Sequence, residues 1–105
     1  MRPKPGDVWL ADLGLAGKTR PVIIVSRHDP DPPWALVLYV PLTTQGRGSQ
    51  YEVAMPRLPF LAQPSVANVL GLSSIPAIRL EGRLGGLPHS VMANIRAALA
   101  FTLGI

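Results

Sequence analysis

The chain has 105 residues, enough for one domain and one core but not two. Hydrophobic residues make up 48% and charged residues 15%, which excludes a disordered polyelectrolyte. The absence of cysteine excludes a disulfide framework, a thiol nucleophile and a cysteine zinc site, while ten Lys and Arg against six Asp and Glu give a charge of +4 that suits a polyanionic partner.

A single domain over residues 1–105 is predicted. His28 and His89 are the only imidazoles and lie far apart in sequence, so no metal centre is expected. No apolar run approaches the roughly 20 residues of a membrane helix. The opening residues, Met1 to Asp7, are polar and lack the apolar segment of a secretory signal. A soluble cytoplasmic protein is expected. Twelve prolines and ten glycines, spread along the chain, mark turns between short strands.

In chain order, Asp7 to Leu13 reads as a short strand between Gly6 and Gly14. Residues 14–19 form a turn, and Pro21 biases Arg20 toward extended backbone. Val22-Ile23-Ile24-Val25 is β-branched throughout, the pattern of a strand covered on both faces. His28 to Pro33 is a loop. Ala35 to Val40 is the next strand, continued by Pro41 to Thr44. Gln45 to Gln50 is a polar, glycine-containing loop. Tyr51 to Met55 alternates and is predicted to pair back on the preceding strand as a hairpin. Pro56 to Pro64 is an irregular excursion. Ser65 to Ile75 holds one or two short strands. Leu80 to Leu84 forms a further strand or a helical turn. Ser90 to Leu103 contains neither proline nor glycine, and Val91, Met92, Ile95, Leu99 and Leu103 fall at helical spacing on one side. Ser90 or Pro88 starts that helix and Gly104 stops it. The sum is a small, strongly bent antiparallel sheet, barrel-like, closed by a C-terminal helix.

Arg20 sits between a turn and a covered strand, a position from which a guanidinium can grip a phosphate with two parallel hydrogen bonds. Lys18, two positions earlier, points to the same side of an extended chain. A solubilising surface pair is the competing reading. Thr43, Thr44 and Gln45 offer two hydroxyls and a carboxamide at a strand end, suited to phosphate oxygens or a sugar hydroxyl, or else purely structural. Arg47 lies in a glycine-flanked loop that suits a single-stranded nucleic acid or is an exposed tip. Trp9 is expected in the core and Trp34 at the surface or an interface. Tyr51 is a further aromatic that could stack on a base. Arg79 and Arg83 flank Glu81, as part of a basic face or as weak ion pairs. No phosphate-cradling loop and no dinucleotide fingerprint is present.

Four stretches, in order, resemble the MazF/PemK-type toxins of bacterial toxin–antitoxin pairs: Pro5 to Leu13; Lys18 to Ser26 with its Arg-Pro; Val40 to Gln45 followed by Tyr51-Glu52-Val53; and Arg83 to Leu87 with the closing helix. The resemblance spans nearly the whole chain. It implies an SH3-like curved sheet of the CcdB/MazF/PemK type and a homodimer. It also implies a metal-independent endoribonuclease that cuts single-stranded RNA, usually messenger RNA, without a cofactor. The RNA's own 2′-hydroxyl attacks the adjacent phosphorus, giving 2′,3′-cyclic phosphate and 5′-hydroxyl ends. Carried over by position, Arg20 and Thr43 are catalytic. Lys18, Thr44, Gln45 and Arg47 position RNA. A cognate acidic antitoxin is the implied protein partner. The chain departs from many relatives in two places. The loop over 14–19 lacks an acid before the arginine, which leaves the general base unassigned. Ser73 stands where a basic residue is common, and Arg79 and Arg83 are the candidates to replace it. Two other functions fit this fold class: a gyrase-binding toxin without chemistry, acting through Phe101 to Ile105, and an inactive RNA-binding module.

Overall fold

The computed structural model describes residues 3–14 and 18–105. Part of the turn predicted over 14–19 lies outside these residues. Seven strands form the sheet: β1 (Asp7–Asp12), β2 (Thr19–Ile24), β3 (Leu36–Thr43), β4 (Glu52–Ala54), β5 (Val66–Asn68), β6 (Ser73–Pro76) and β7 (Leu80–Gly86). One helix, α1 (His89–Leu103), follows. The spatial order is β4-β5-β3-β2-β1-β7, with β6 also paired to β3, and every pairing is antiparallel.

β2 sits in the middle of that order because it can be covered on both faces. Val22, Ile23 and Ile24 are all fully buried. Successive side chains alternate between two clusters. Val8, Ile23, Val40 and Leu42 pack with Val91, Met92 and Ile95 of α1. Trp9, Val22, Ile24 and Tyr39 pack on the other face with Ile75 and Leu80. The helix covers the first face, and the bent sheet closes on the second. Two register shifts between β1 and β7 supply part of that bend.

The long strand β3 carries two partners along one edge. Its first half pairs with β6 and its end pairs with β5. Between the two the register steps by three residues, the length of the 3-10 turn Val69–Gly71. Pro41 lies at that step and has no N–H to give the ladder. A Cβ on Gly71 would stand 2.6 Å from the Pro41 ring, so only glycine lets the turn pass so close.

Two expectations need correction, and one open choice is decided. The strand at Glu52–Ala54 does not form a hairpin with β3. It pairs with β5, which lies between them, with Val53 opposite Ala67. Of the two readings of Leu80 to Leu84, the strand is the one found, since β1 gives it a partner along its length. Leu103, assigned to the covered helical side, is 55% exposed, because cover on that side is complete at Ile95, partial at Leu99 and gone by Leu103. The helix starts after Pro88, without a side-chain cap, and stops at Gly104, whose φ of 72° is left-handed. Trp9 is buried and Trp34 is exposed, as expected.

The proline-rich excursion is held from within. Phe60 lies directly on the Cα of Gly85 in β7, and Leu61 packs against the helix-side core. Gly85→Ala is expected to push the Phe60 ring out and cost about 1–3 kcal/mol. Gly82→Ala, with nothing within 4 Å of the new methyl, is the neutral control. The urea midpoints of the two variants test this.

Candidate active site

Register brings Arg20 and Thr43 to the same end of two neighbouring strands: Val22 pairs with Pro41, the last pair of the β2–β3 ladder, and each of the two residues lies two positions beyond it. Both belong to the face that carries Val22, Ile24 and Tyr39, at the open end of that cluster. They line one cleft of about 390 Å³ together with Pro21, Leu42, Thr44, Gln45 and Ser65. Arg20 is exposed, so its guanidinium is available to a ligand, while its strand is anchored by the three buried residues that follow. The Thr43 hydroxyl oxygen accepts the Gln45 N–H at 3.1 Å. That bond turns the chain at the strand end and leaves the hydroxyl hydrogen free to be donated into the cleft.

Ser65 was not a sequence candidate. It reaches the cleft because Val66 pairs with Thr43. Assigning the partner of β3 to the Glu52 strand hides this neighbour. Among the described residues no carboxylate and no imidazole lines the cleft. What this lining can supply is positive charge and hydrogen-bond donors.

A second cavity, about 360 Å³, adjoins the first and shares Thr43 and Gln45 with it. Arg47, Ser49, Tyr51, Glu52, Asn68 and Leu70 complete its lining. Arg47 is therefore a neighbour of the cleft through this cavity. The Glu52 carboxylate accepts the Arg47 N–H at 2.8 Å and the Gly48 N–H at 3.1 Å on Oε1, and the Ser49 hydroxyl at 3.3 Å on Oε2. These bonds, the Arg47 N–H foremost, hold its pKa below the usual 4.5. A lowered folded value means that the contribution to stability is fully present above pH 4.5 and is lost as pH falls through that lowered value. The amide resonances of Arg47 and Gly48 are expected to titrate together with a midpoint below 4.5.

The remaining basic candidates lie elsewhere. Lys18 is exposed just before β2 and does not line the cleft. Arg79 is exposed, with its guanidinium beside Gly14. Arg83 is committed to the other edge of the sheet. Its Nε makes an ion pair with Asp7 Oδ1 at 3.2 Å, and Asp7 Oδ2 also accepts the Lys4 N–H. Three ladder spacings, roughly 14 Å, separate β7 from β3. The fold thus brings together Arg20, Thr43, Thr44 and Gln45, with Arg47 adjoining, and leaves Arg79 and Arg83 outside. Among the described residues, no three His, Cys, Asp or Glu side chains form a metal-holding group. Among those residues, no helix is long and apolar enough to cross a membrane.

The sequence pattern of the PemK-like, MazF-like toxins of type II toxin–antitoxin systems matches residues 4–103. The chain belongs to that family. A probable endoribonuclease, MazF5 of Mycobacterium tuberculosis, is 33% identical over 98 residues, 92% of this chain and 89% of the relative. Endoribonuclease MazF3 of the same organism is 34% identical over 87 residues, 83% and 81% of the two chains. A mycobacterial endoribonuclease solved in complex with its cognate antitoxin superimposes with a TM-score of 0.86 at 31% identity, covering 98% of this chain and 96% of that one. Membership in the MazF-like toxins agrees with the curved antiparallel sheet and single C-terminal helix described above.

Proposed function

We infer that this protein is the toxin of a type II toxin–antitoxin pair, an endoribonuclease that cuts single-stranded RNA through Arg20 and Thr43. The observation that carries this reading is that both line one open cleft, in a chain of this family. In the proposed reaction a 2′-hydroxyl oxygen bonds to the adjacent phosphorus and the bond from phosphorus to the 5′-oxygen breaks. The 2′-hydroxyl gives up its proton and the leaving 5′-oxygen gains one. Arg20 stabilises the charge that builds on the non-bridging oxygens, where fixed donors act most strongly. Its high pKa suits it to that task and not to taking a proton. Thr43 donates its hydroxyl hydrogen to a phosphate oxygen. Thr44, Gln45 and Arg47 hold the strand.

The partners follow the same chemistry. An acidic antitoxin and an RNA are both polyanions, suited to a chain of charge +4. Exposed Trp34, Leu36, Leu38 and Ile78 support a homodimer, since apolar surface of this kind is usually covered. The cytoplasm, where messenger RNA is met, is the proposed location.

Incubation with a long single-stranded RNA in EDTA tests the reading. Fragments with cyclic phosphate and 5′-hydroxyl ends are expected, and their ends report the motif cut. RNA bound but left whole would make the protein a binding module. Loss of gyrase supercoiling with RNA untouched would make it a gyrase poison.

A further inference from the structure

The segment 46–49 is polar and contains two glycines, the composition of a loose tip, yet it is tied at nearly every residue. A Cβ on Gly46 would stand 3.1 Å from both Val66 methyls and 3.2 Å from Glu52 Oε1, so the backbone lies flat on β5 and on the carboxylate. Gly48 takes a φ of 67°. The Glu52 carboxylate collects three donors from Arg47, Gly48 and Ser49. The Ser49 hydroxyl also accepts the Tyr51 N–H at 3.2 Å. β4 is held in turn by β5, with Glu52 opposite Asn68. One carboxylate thus connects the sheet that carries Thr43 to the wall of the second cavity.

We propose that Glu52 is a positioning residue for substrate: it fixes the Arg47–Ser49 segment as one wall of the cavity beside the cleft, and so sets the affinity for the RNA strand running past the cut site. The role presupposes the ribonuclease reading above. Glu52 acts through Arg47 and Ser49 and not on the reacting phosphate, which the proposed function assigns to Arg20 and Thr43 in the adjoining cleft.

Electrostatics and positioning predict opposite signs. Glu52 is a negative charge beside a site for a polyanion, so removing it should tighten RNA binding if charge alone mattered. Positioning predicts weaker binding, because the freed loop must be ordered again with each encounter.

The test measures kcat and KM on a short single-stranded RNA oligonucleotide containing one cut site mapped with the wild-type protein. Amide hydrogen exchange at Arg47 and Gly48 is read in the same proteins without RNA. Glu52→Ala is expected to raise KM about tenfold, with kcat within about twofold and faster exchange at both amides. Glu52→Gln keeps an oxygen acceptor for those amides and is expected to restore KM to within about threefold despite the lost charge. Glu52→Asp keeps the charge but shortens the reach, and a raised KM is expected there too. It also serves if the alanine variant does not fold.

An unchanged or lowered KM in Glu52→Ala with freed amides would overturn the role. So would unchanged exchange, or a loss borne by kcat. If the wild-type protein cuts RNA and only these effects are missing, the role of Glu52 alone is lost. A wild-type protein that cuts no RNA removes the functional reading and this role with it.

Discussion

Arg20→Ala is expected to lower the cleavage rate by about 10²–10³-fold, the usual cost of removing one fixed donor from a developing oxyanion. The loss should fall on kcat, since charge on the non-bridging oxygens grows toward the transition state and is smaller in the bound RNA. Arg20 is exposed at the head of β2, while the residues that anchor the strand, Val22 to Ile24, are untouched. Stability should therefore change by less than about 0.5 kcal/mol. Arg20→Lys keeps the charge but loses the planar fork, and an intermediate rate is expected. Single-turnover cleavage of one oligonucleotide, with a thermal melt of each variant, checks both statements. A tenfold or smaller loss in the alanine variant would remove Arg20 from the chemistry.

The largest expected effect on stability is at Ile95. Its side chain is fully buried in the helix-side cluster, which also holds Val8, Ile23 and Val40 from three neighbouring strands. Ile95→Ala removes three carbons and leaves a cavity that the strands cannot close, at a cost of about 2–5 kcal/mol. Against a total of about 5–15 kcal/mol for a typical domain, that can unfold much of the population. Leu103→Ala, two turns further along the same helix, should cost far less, because that side chain is half exposed. Urea midpoints of the pair distinguish the buried position from the exposed one.

The contrast marks where the sequence could be read and where it could not. Spacing along α1 placed Val91, Met92 and Ile95 correctly, because a helical period reports which side faces the sheet. It could not report how far along the helix the cover extends, and so it included Leu103. β2 was legible for a simpler reason. Val22, Ile23 and Ile24 in a row need cover on both faces, and the middle of the sheet provides it.

Strand pairing was the harder part. Tyr51 to Met55 follows β3 after a short loop, so a hairpin was the local reading. The pairing found instead rests on contacts distant in sequence, Val66 with Thr43 and Ala54 with Val66. That single difference hid Ser65 from the cleft. Glu52 was hidden for another reason, since a carboxylate that gathers three loop donors leaves no periodic signal. Arg20 and Thr43 could be singled out from a turn, a proline and a strand end, with the resemblance supplying their roles. Arg83 could not be sorted from the other cations, because its partner Asp7 lies 76 positions away.

The central claim is that Arg20 and Thr43 act on the same phosphate. A double-mutant cycle tests it most directly: single-turnover cleavage of one RNA oligonucleotide by the wild type, Arg20→Ala, Thr43→Ala and the double variant. Two groups serving one transition state give losses that do not multiply, so the double variant should be little slower than Arg20→Ala alone. Losses that multiply in full would mean that the two side chains work independently, and the shared centre would not exist.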